Sequence, residues 1–268
     1  MKHLKNRRFI VWSSGIRRGI SKIVPVVAIL LAWESWVRIF EVPAYFLPPV
    51  STILVKLGQL LLDGELIVHT LYTIYRSLLG IFVGATMGVV IGFMMAWYRY
   101  AEEGLDFIIA ATYPLPKVAL IPLLMVWLGL GEAPILAMSV MGVVYPVIVN
   151  TVAGAKNIDP LLIRAARDLG ATDRQLFREV MLPGSLPMIF AGLKLGAGIA
   201  FILVVAAEMV IGKYGLGNVL AEAAAILHLD VVFATLLELC VIGILLFMLV
   251  DFLERITVPW HSKFRKAG

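Results

Sequence analysis

Long apolar runs alternate with short charged or proline-rich stretches along most of this sequence. A helix that crosses a membrane needs about 20 mainly apolar residues, and six runs approach that length. The pattern therefore predicts an all-α fold, a polytopic membrane helical bundle of about six transmembrane helices. The predicted spans cover residues 23–40, 71–97, 105–128, 134–155, 186–211 and 231–253.

The charged residues fall mainly between these runs. Residues 1–22 carry several basic side chains and no acidic one, and basic residues recur in the loop 156–183 and in the tail 256–268. Cytoplasmic segments of membrane proteins hold the excess of Lys and Arg. We therefore expect both termini and the loop to be cytoplasmic, with the membrane domain spanning residues 23–255. The N-terminus lacks the pattern of a removable signal peptide.

Composition agrees with a membrane protein. The 268-residue chain is 61% hydrophobic and has a mean hydropathy of +0.95, whereas a soluble domain is about half apolar. The net charge of +5 does not indicate a nucleic-acid partner, since the basic residues flank apolar runs and no groove of aromatic and basic residues is visible. Cys240 is the single cysteine, which excludes an intrachain disulfide and a cysteine-based metal site.

Four glycines recur at every fourth position of the second predicted span. One helical face therefore has no side chains, since it consists of Gly80, Gly84, Gly88 and Gly92. Such a face lets another helix approach closely, which drives packing where the surrounding lipid is itself apolar. Tight helix packing is the main prediction for these glycines, and sliding along this face during gating is a secondary one.

Prolines interrupt the third predicted span at Pro114, Pro116 and Pro122, with Lys117 among them. Proline leaves backbone carbonyls without a donor, and lipid cannot satisfy them. This stretch should therefore face protein or a water-filled cavity.

Lys117 and Glu208 are the two charges placed deepest in the predicted spans. Intramembrane charges usually face the bundle interior or an aqueous path. Two interpretations remain open at this point: both residues line a translocation path, where Lys117 attracts an anionic solute, or they form an ion pair that joins spans three and five. Arg76 is interpreted as an interfacial or helix-contact residue.

The loop 156–183 reads as two short helices separated by Gly170. Asp159 can cap the first helix and Thr172 the second. One helical face of the first helix consists of Leu161, Ala165 and Leu169. The loop is either a docking element or an ordinary cytoplasmic connection.

The loop resembles the "EAA" loop of permease subunits of bacterial ABC importers, whose pattern is Glu-Ala-Ala, three residues, Gly, and later Ile-x-Leu-Pro. Arg164 stands in the position of the glutamate, and Val180 stands in that of the isoleucine. The resemblance implies a coupling helix that docks on an ATPase subunit, while Arg164 and Asp168 have the alternative of pairing along the helix. The implied coupling residues are Arg164, Ala165, Ala166, Asp168, Gly170, Ala171, Leu182 and Pro183.

Three further stretches are similar to permeases of the nitrate/sulfonate/taurine type. These are residues 47–51 (Leu-Pro-Pro-Val-Ser), residues 114–123, and Glu208 followed by the Gly-Leu-Gly of residues 215–217. The resemblance implies a homodimer in the bacterial cytoplasmic membrane, with two cytoplasmic ATPase subunits and an external solute-binding protein. ATP and Mg would bind the ATPase, and no cofactor is expected on this chain, which has no phosphate-binding loop motif.

The expected function is that of a permease for a small organic or inorganic anion such as a sulfonate, taurine or nitrate. A permease of the same group for a heterocycle such as a pyrimidine is the alternative. An ion-coupled secondary transporter would show more intramembrane acids and often a repeat. A membrane-embedded enzyme would need clustered catalytic side chains, which the sequence does not show, so we expect no enzyme activity and no metal site.

Overall fold

The computed structural model describes residues 24–260. Within that range the ordered elements are helices and no strand is present. The predicted segment 1–22 and residues 261–268 of the predicted tail lie outside the described residues. The helices are α1 (24–39), α2 (Val50–Leu62), α3 (Glu65–Trp97), α4 (Arg99–Thr112), α5 (Ile121–Leu128), α6 (Glu132–Lys156), α7 (Pro160–Asp168), α8 (Asp173–Gln175), α9 (Leu182–Ile211), α10 (Leu216–Ala225) and α11 (Leu229–Thr257).

Four helical segments in the described part of the chain are long and apolar enough to cross a membrane: α3, α6, the continuous segment Asp173–Ile211, and α11. The all-α membrane bundle is confirmed, but the predicted count of about six spans is too high for residues 24–260, which provide four or, with one bent pair, five. The first predicted span, 23–40, corresponds to α1, whose described part is shorter than a full crossing.

The third predicted span is not one helix. The chain forms α4 from Arg99, breaks after Thr112, and resumes as Lys117–Leu128, with a bend of 90° between the two parts. The break has a local cause, since Pro114 and Pro116 supply no backbone N–H and their rings disfavour a continuing helix. The segment is therefore a broken span or a re-entrant loop, and the boundaries 105–128 are corrected accordingly.

Other boundaries shift by a few residues. α3 begins at Glu65, earlier than the predicted 71, because Gly64 takes a left-handed backbone with φ +76° and separates it from α2. α11 extends to Thr257 and so includes the start of the predicted tail 256–268.

α6 lies at the centre of the bundle, between α3 and α9. On the α3 side, a Cβ atom added at Gly84 would lie 2.7 Å from Val143 Cβ, and one added at Gly88 would lie 2.7 Å from Val147 Cβ. Both distances are far below a normal carbon–carbon contact. Gly80 and Gly92 approach α6 equally closely, at Ser139 and Thr151. The structure thus places all four glycines against one row of α6.

The other side of α6 packs against α9 by the same means. A Cβ atom at Gly142 would lie 2.7 Å from the Cα atom of Ala200, and one at Gly196 would lie 3.0 Å from the Cα atom of Val143. Because small residues serve both interfaces, α3, α6 and α9 approach each other at backbone distance. These three helices form one closely packed unit that links the two ends of the bundle.

Candidate functional site

The first candidate site is the loop between α6 and α9, at one end of the bundle. Asp159 accepts a hydrogen bond from the backbone N–H of Leu161 at 2.8 Å and so caps α7, with Pro160 in its first turn. α7 stops before Gly170, which has φ +83°. That backbone conformation is costly for residues with a Cβ atom. A Cβ atom at Gly170 would meet nothing within 4 Å. Glycine is therefore favoured by the backbone conformation and not by a lack of room for a side chain.

The second half of the loop differs from the prediction. Thr172 and Gln175 form a reciprocal capping box at the start of α8, but α8 does not end as a separate short helix. It continues through a π-helical segment, Leu176–Met181, directly into α9. Leu182 and Pro183 lie in the first turn of α9, where the missing N–H of proline is tolerated. The loop is therefore joined to span five without a hinge after Thr172.

α7 presents an apolar face to the surroundings. Leu161 is 67% exposed and Leu169 is 89% exposed, and Ala165 between them is exposed as well. The opposite side of the loop is anchored, since Ile163 packs against a cluster that includes Met181. An exposed apolar face on a firmly anchored helix is typical of a surface that another protein covers.

The charges of α7 do not neutralise each other along the helix. Arg164 and Asp168 are exposed and form no ion pair with one another, although their spacing permits one. Arg167 instead lies 3.3 Å from the carboxylate of Asp173. Arg164 therefore remains available for a partner, and the residues Ala166 and Ala171 beside it are half-buried.

The second candidate site is the break between α4 and α5. Lys117 is half-buried; its Nζ donates to the backbone oxygen of Tyr113 at 3.3 Å and lies 5.2 Å and 5.0 Å from the ring centroids of Tyr113 and Tyr145. Aromatic faces stabilise a cation there. Among residues 24–260 no carboxylate lies within ion-pair distance of Lys117, and the three prolines Pro114, Pro116 and Pro122 beside it are exposed.

The third candidate site is a buried ion cluster at the other end of the bundle. Glu208 of α9 is 0% exposed, and its partner is Arg76 of α3, which is 1% exposed; Arg76 Nη1 lies 2.8 Å from Glu208 Oε1. Arg76 also donates two hydrogen bonds to the carboxylate of Glu132 at the start of α6, from Nε to Oε2 at 2.7 Å and from Nη2 to Oε1. The interpretation in which Lys117 pairs with Glu208 is therefore wrong.

The same cluster holds the turn between α9 and α10. Arg76 donates to the backbone oxygen of Tyr214 at 2.5 Å, and Glu208 accepts from the N–H of Gly217 at 3.1 Å and from the hydroxyl of Thr73 at 2.8 Å. At Gly215, φ is +123° and an added Cβ atom would lie 2.2 Å from the carboxyl carbon of Glu208. Only glycine fits at that position.

Sequence reasoning missed this cluster, although a signal was present. Arg76 is the only basic residue within the predicted span 71–97, and Glu208 is the only acidic residue within the predicted span 186–211. Both lie towards the same end of the bundle, Arg76 in the first half of α3 and Glu208 in the last turn of α9. Opposite lone charges at similar depth have a strong reason to pair, because an unpaired buried charge is costly.

Comparison with known proteins identifies the kind of membrane protein. The family model described as "Binding-protein-dependent transport system inner membrane component" matches residues 88–261. The taurine transport system permease protein TauC of Escherichia coli K12 is 32% identical and covers 97% of this chain and 96% of its own length. The putative aliphatic sulfonates transport permease protein SsuC of Bacillus subtilis is 31% identical, with 94% and 89% covered. The riboflavin transport system permease protein RibX of Chloroflexus aurantiacus is 30% identical, with 89% covered on both sides.

Solved structures agree with the fold. The methionine ABC transporter MetNI in an inward-facing conformation matches with a TM-score of 0.60 at 20% identity, over 69% of this chain and 92% of the other. An amino acid ABC transporter matches with a TM-score of 0.58 at 18% identity, over 76% and 97%. Since the family model and these relatives cover most of its length, the chain belongs to the family of binding-protein-dependent transport system inner membrane components, as the permease component of an ABC importer.

Proposed function

We propose that two copies of this chain form the translocation path of an ATP-driven importer in the bacterial cytoplasmic membrane, for a small organic or inorganic anion such as a sulfonate, taurine or nitrate. An external binding protein delivers the solute, and two separate cytoplasmic ATPase subunits supply the energy. This chain contributes no catalytic residue, and ATP and Mg bind at the ATPase. The observation that supports an anionic solute is Lys117 at the proline break, a cation without an ion-pair partner among residues 24–260.

Lys117 suits an anion for electrostatic reasons. Its ammonium group has three N–H donors, of which the described structure commits one, to Tyr113. Two unit charges 4 Å apart attract by about 4 kcal/mol at an effective dielectric constant of 20, before desolvation is subtracted. Relatives named for taurine and aliphatic sulfonates support the same chemical class. The relative named for riboflavin keeps a heterocyclic solute as the second candidate.

The break at α4 and α5 also supports the homodimer. Pro114 and Pro116 lie at an exposed bend, where backbone groups need partners that lipid cannot supply. A second copy of the chain facing this bend would cover it and enclose an aqueous path between the two copies. Glu208 has a different role in this proposal from the one expected, since it holds the bundle together with Arg76 and does not face the solute.

α7 is the proposed docking surface for the ATPase subunit. Its exposed leucines supply apolar contact, and Arg164 supplies a charge for an acidic side chain of the ATPase. The continuous segment Asp173–Ile211 connects this surface to the buried ion cluster at the far end. At 1.5 Å per residue, its 39 residues span about 58 Å, so that a movement at the ATPase reaches the outer end through one helix.

The proposed orientation places the loop 156–183 and both termini in the cytoplasm. A cysteine at Asp173, in a background with Cys240 replaced, should be protected from an impermeant thiol reagent in intact cells. A cysteine at Asp63, at the opposite end, should react. The reversed pattern of labelling contradicts the orientation.

Uptake by Lys117 variants tests the anion path. Lys117→Met should lower the uptake rate of taurine or a sulfonate roughly tenfold, equivalent to about 1.4 kcal/mol, while Lys117→Arg should retain most of it. Lys213→Met is the matched control, since Lys213 also lies over an aromatic ring, that of Tyr214, but outside the break. Unchanged anion uptake by Lys117→Met, with the ATPase still bound, contradicts the role of Lys117, whereas a wild type that takes up no anion favours the heterocycle.

A further inference from the structure

Glu238 is a buried acid without a countercharge. It lies on α11, 7% exposed, next to Leu239, which packs with Leu66 of α3 in an apolar cluster. Its only hydrogen-bond partner among residues 24–260 is the hydroxyl of Thr70 on α3, which contacts Oε1. Its second carboxyl oxygen, Oε2, is buried and has no partner within that part of the chain.

The charged and titratable groups of the neighbouring helices are engaged elsewhere. On α2, Lys56 lies 3.9 Å from Asp230, the acidic residue in the first turn of α11. On α3, Arg76 binds Glu208 and Glu132, and the ring of His69 is within hydrogen-bond distance of Gly215. On α10, Glu222 accepts from Asn218. No described cation lies within ion-pair distance of Glu238, which distinguishes it from the buried Glu208.

The two oxygen contacts of Thr70 compete for one hydroxyl hydrogen. A threonine hydroxyl has one hydrogen. Thr70 Oγ1 lies 2.8 Å from the backbone oxygen of Leu66, which can only accept, and it also contacts Glu238 Oε1, so its one hydrogen serves only one of the two contacts. When that hydrogen goes to Leu66, both contacts are hydrogen bonds only if the carboxyl group of Glu238 is protonated and donates to Thr70 Oγ1. An ionised carboxylate would face the lone pair of Thr70 or take its hydrogen from Leu66.

We propose that Glu238 is a proton-holding site, in which a neutral carboxylic acid donates a hydrogen bond to Thr70 and fastens α11 to α3. The chain of bonds then runs in one direction, from Glu238 to Thr70 and from Thr70 to the carbonyl of Leu66. A neutral acid also removes the cost of burying an isolated charge, which is large. Glu238 is a positioning residue: it sets the place of α11 beside α3 and touches no solute. The proposal does not depend on which solute is imported.

Infrared spectroscopy of the purified chain in lipid tests the proton directly. At neutral pH an ordinary glutamate is ionised, whereas the proposal expects a carbonyl stretch of a protonated carboxyl group in the wild type. Glu238→Gln should abolish this band, and Glu208→Gln should leave it, because Glu208 is paired with Arg76. Thr70→Val should shift the band by removing the acceptor. A wild-type spectrum without the band, or a band that persists in Glu238→Gln, overturns the proposal.

Uptake and thermal stability of variants test the role of the donor. Glu238→Gln is neutral and keeps an N–H donor for Thr70, so it should retain uptake and stability close to the wild type. Glu238→Ala should lose stability, since it leaves Thr70 without this partner and opens space beside Leu239. Equal damage by both substitutions contradicts a neutral donor, because the ionised group would then be the one that the fold requires.

Discussion

Removing Arg76 should destabilise the protein far more than removing its partner Glu208. Arg76→Met leaves the fully buried carboxylate of Glu208 without a cation, and breaking a buried pair in this way costs about 3–5 kcal/mol. Glu208→Gln leaves Arg76 bound to Glu132, which contacts it through two nitrogen atoms. The loss is then about 1.5–3 kcal/mol, the range for one hydrogen bond to a charged group.

The double variant makes the prediction specific. When Glu208→Gln is added to Arg76→Met, no fully buried charge remains uncompensated, because the side chain of Glu132 is half exposed, so stability should recover by about 1–2 kcal/mol relative to Arg76→Met alone. Reversible unfolding in mixed detergent micelles measures all three free energies. Arg255→Met is a control, because Arg255 forms an exposed ion pair with Asp251 at 2.6 Å, and exposed pairs contribute little. A double variant less stable than Arg76→Met contradicts the buried-charge reasoning.

Three further substitutions test the packing and the docking surface. Gly88→Val should cost about 1–3 kcal/mol of unfolding free energy because its Cβ atom would overlap Val147 of α6, whereas Gly58→Val, which meets nothing within 4 Å, should cost less in the same assay. Gly170→Val should strain the backbone by about 1–2 kcal/mol and lower the yield of co-purified ATPase while the chain still inserts in the membrane. An unchanged yield contradicts the inference that the φ of +83° at Gly170 is needed for docking. Arg164→Glu should weaken ATPase binding most at low salt, where charge interactions are least screened. Binding that is insensitive to this reversal shows that the ATPase surface facing Arg164 is not acidic.

Local patterns explain why part of the architecture could be predicted from the sequence. Glycines at every fourth position from Gly80 to Gly92 define one helical face without reference to any distant residue. In the structure α6 packs against that face. The caps at Asp159 and Thr172 depend on residues within four positions, and both form. The break after Thr112 follows from Pro114 and Pro116, two prolines close together that supply no backbone N–H.

The features that sequence reasoning missed depend on distant residues. Arg76 and Glu208 are far apart in the chain, and their pairing requires α3 and α9 to meet at the same depth. The 90° bend between α4 and α5 has a local cause, but its angle is set by packing. α8 continues into α9, and no residue after Gly170 in the loop has the positive φ that would interrupt a helix. The match of Leu182 and Pro183 to a loop motif hid this continuity from the sequence analysis.

The measurement that tests the central claim most directly is co-purification of the tagged chain from its native membrane, with and without the substitution Leu169→Glu. The claim is that the exposed face of α7 docks a separate ATPase subunit. It predicts that the wild type retains a protein with a phosphate-binding loop motif, one subunit per copy of this chain, and that a charge in place of the exposed Leu169 reduces its amount at least tenfold, about 1.4 kcal/mol of binding free energy. A wild-type preparation without such an ATPase, or equal retention by the variant, contradicts it.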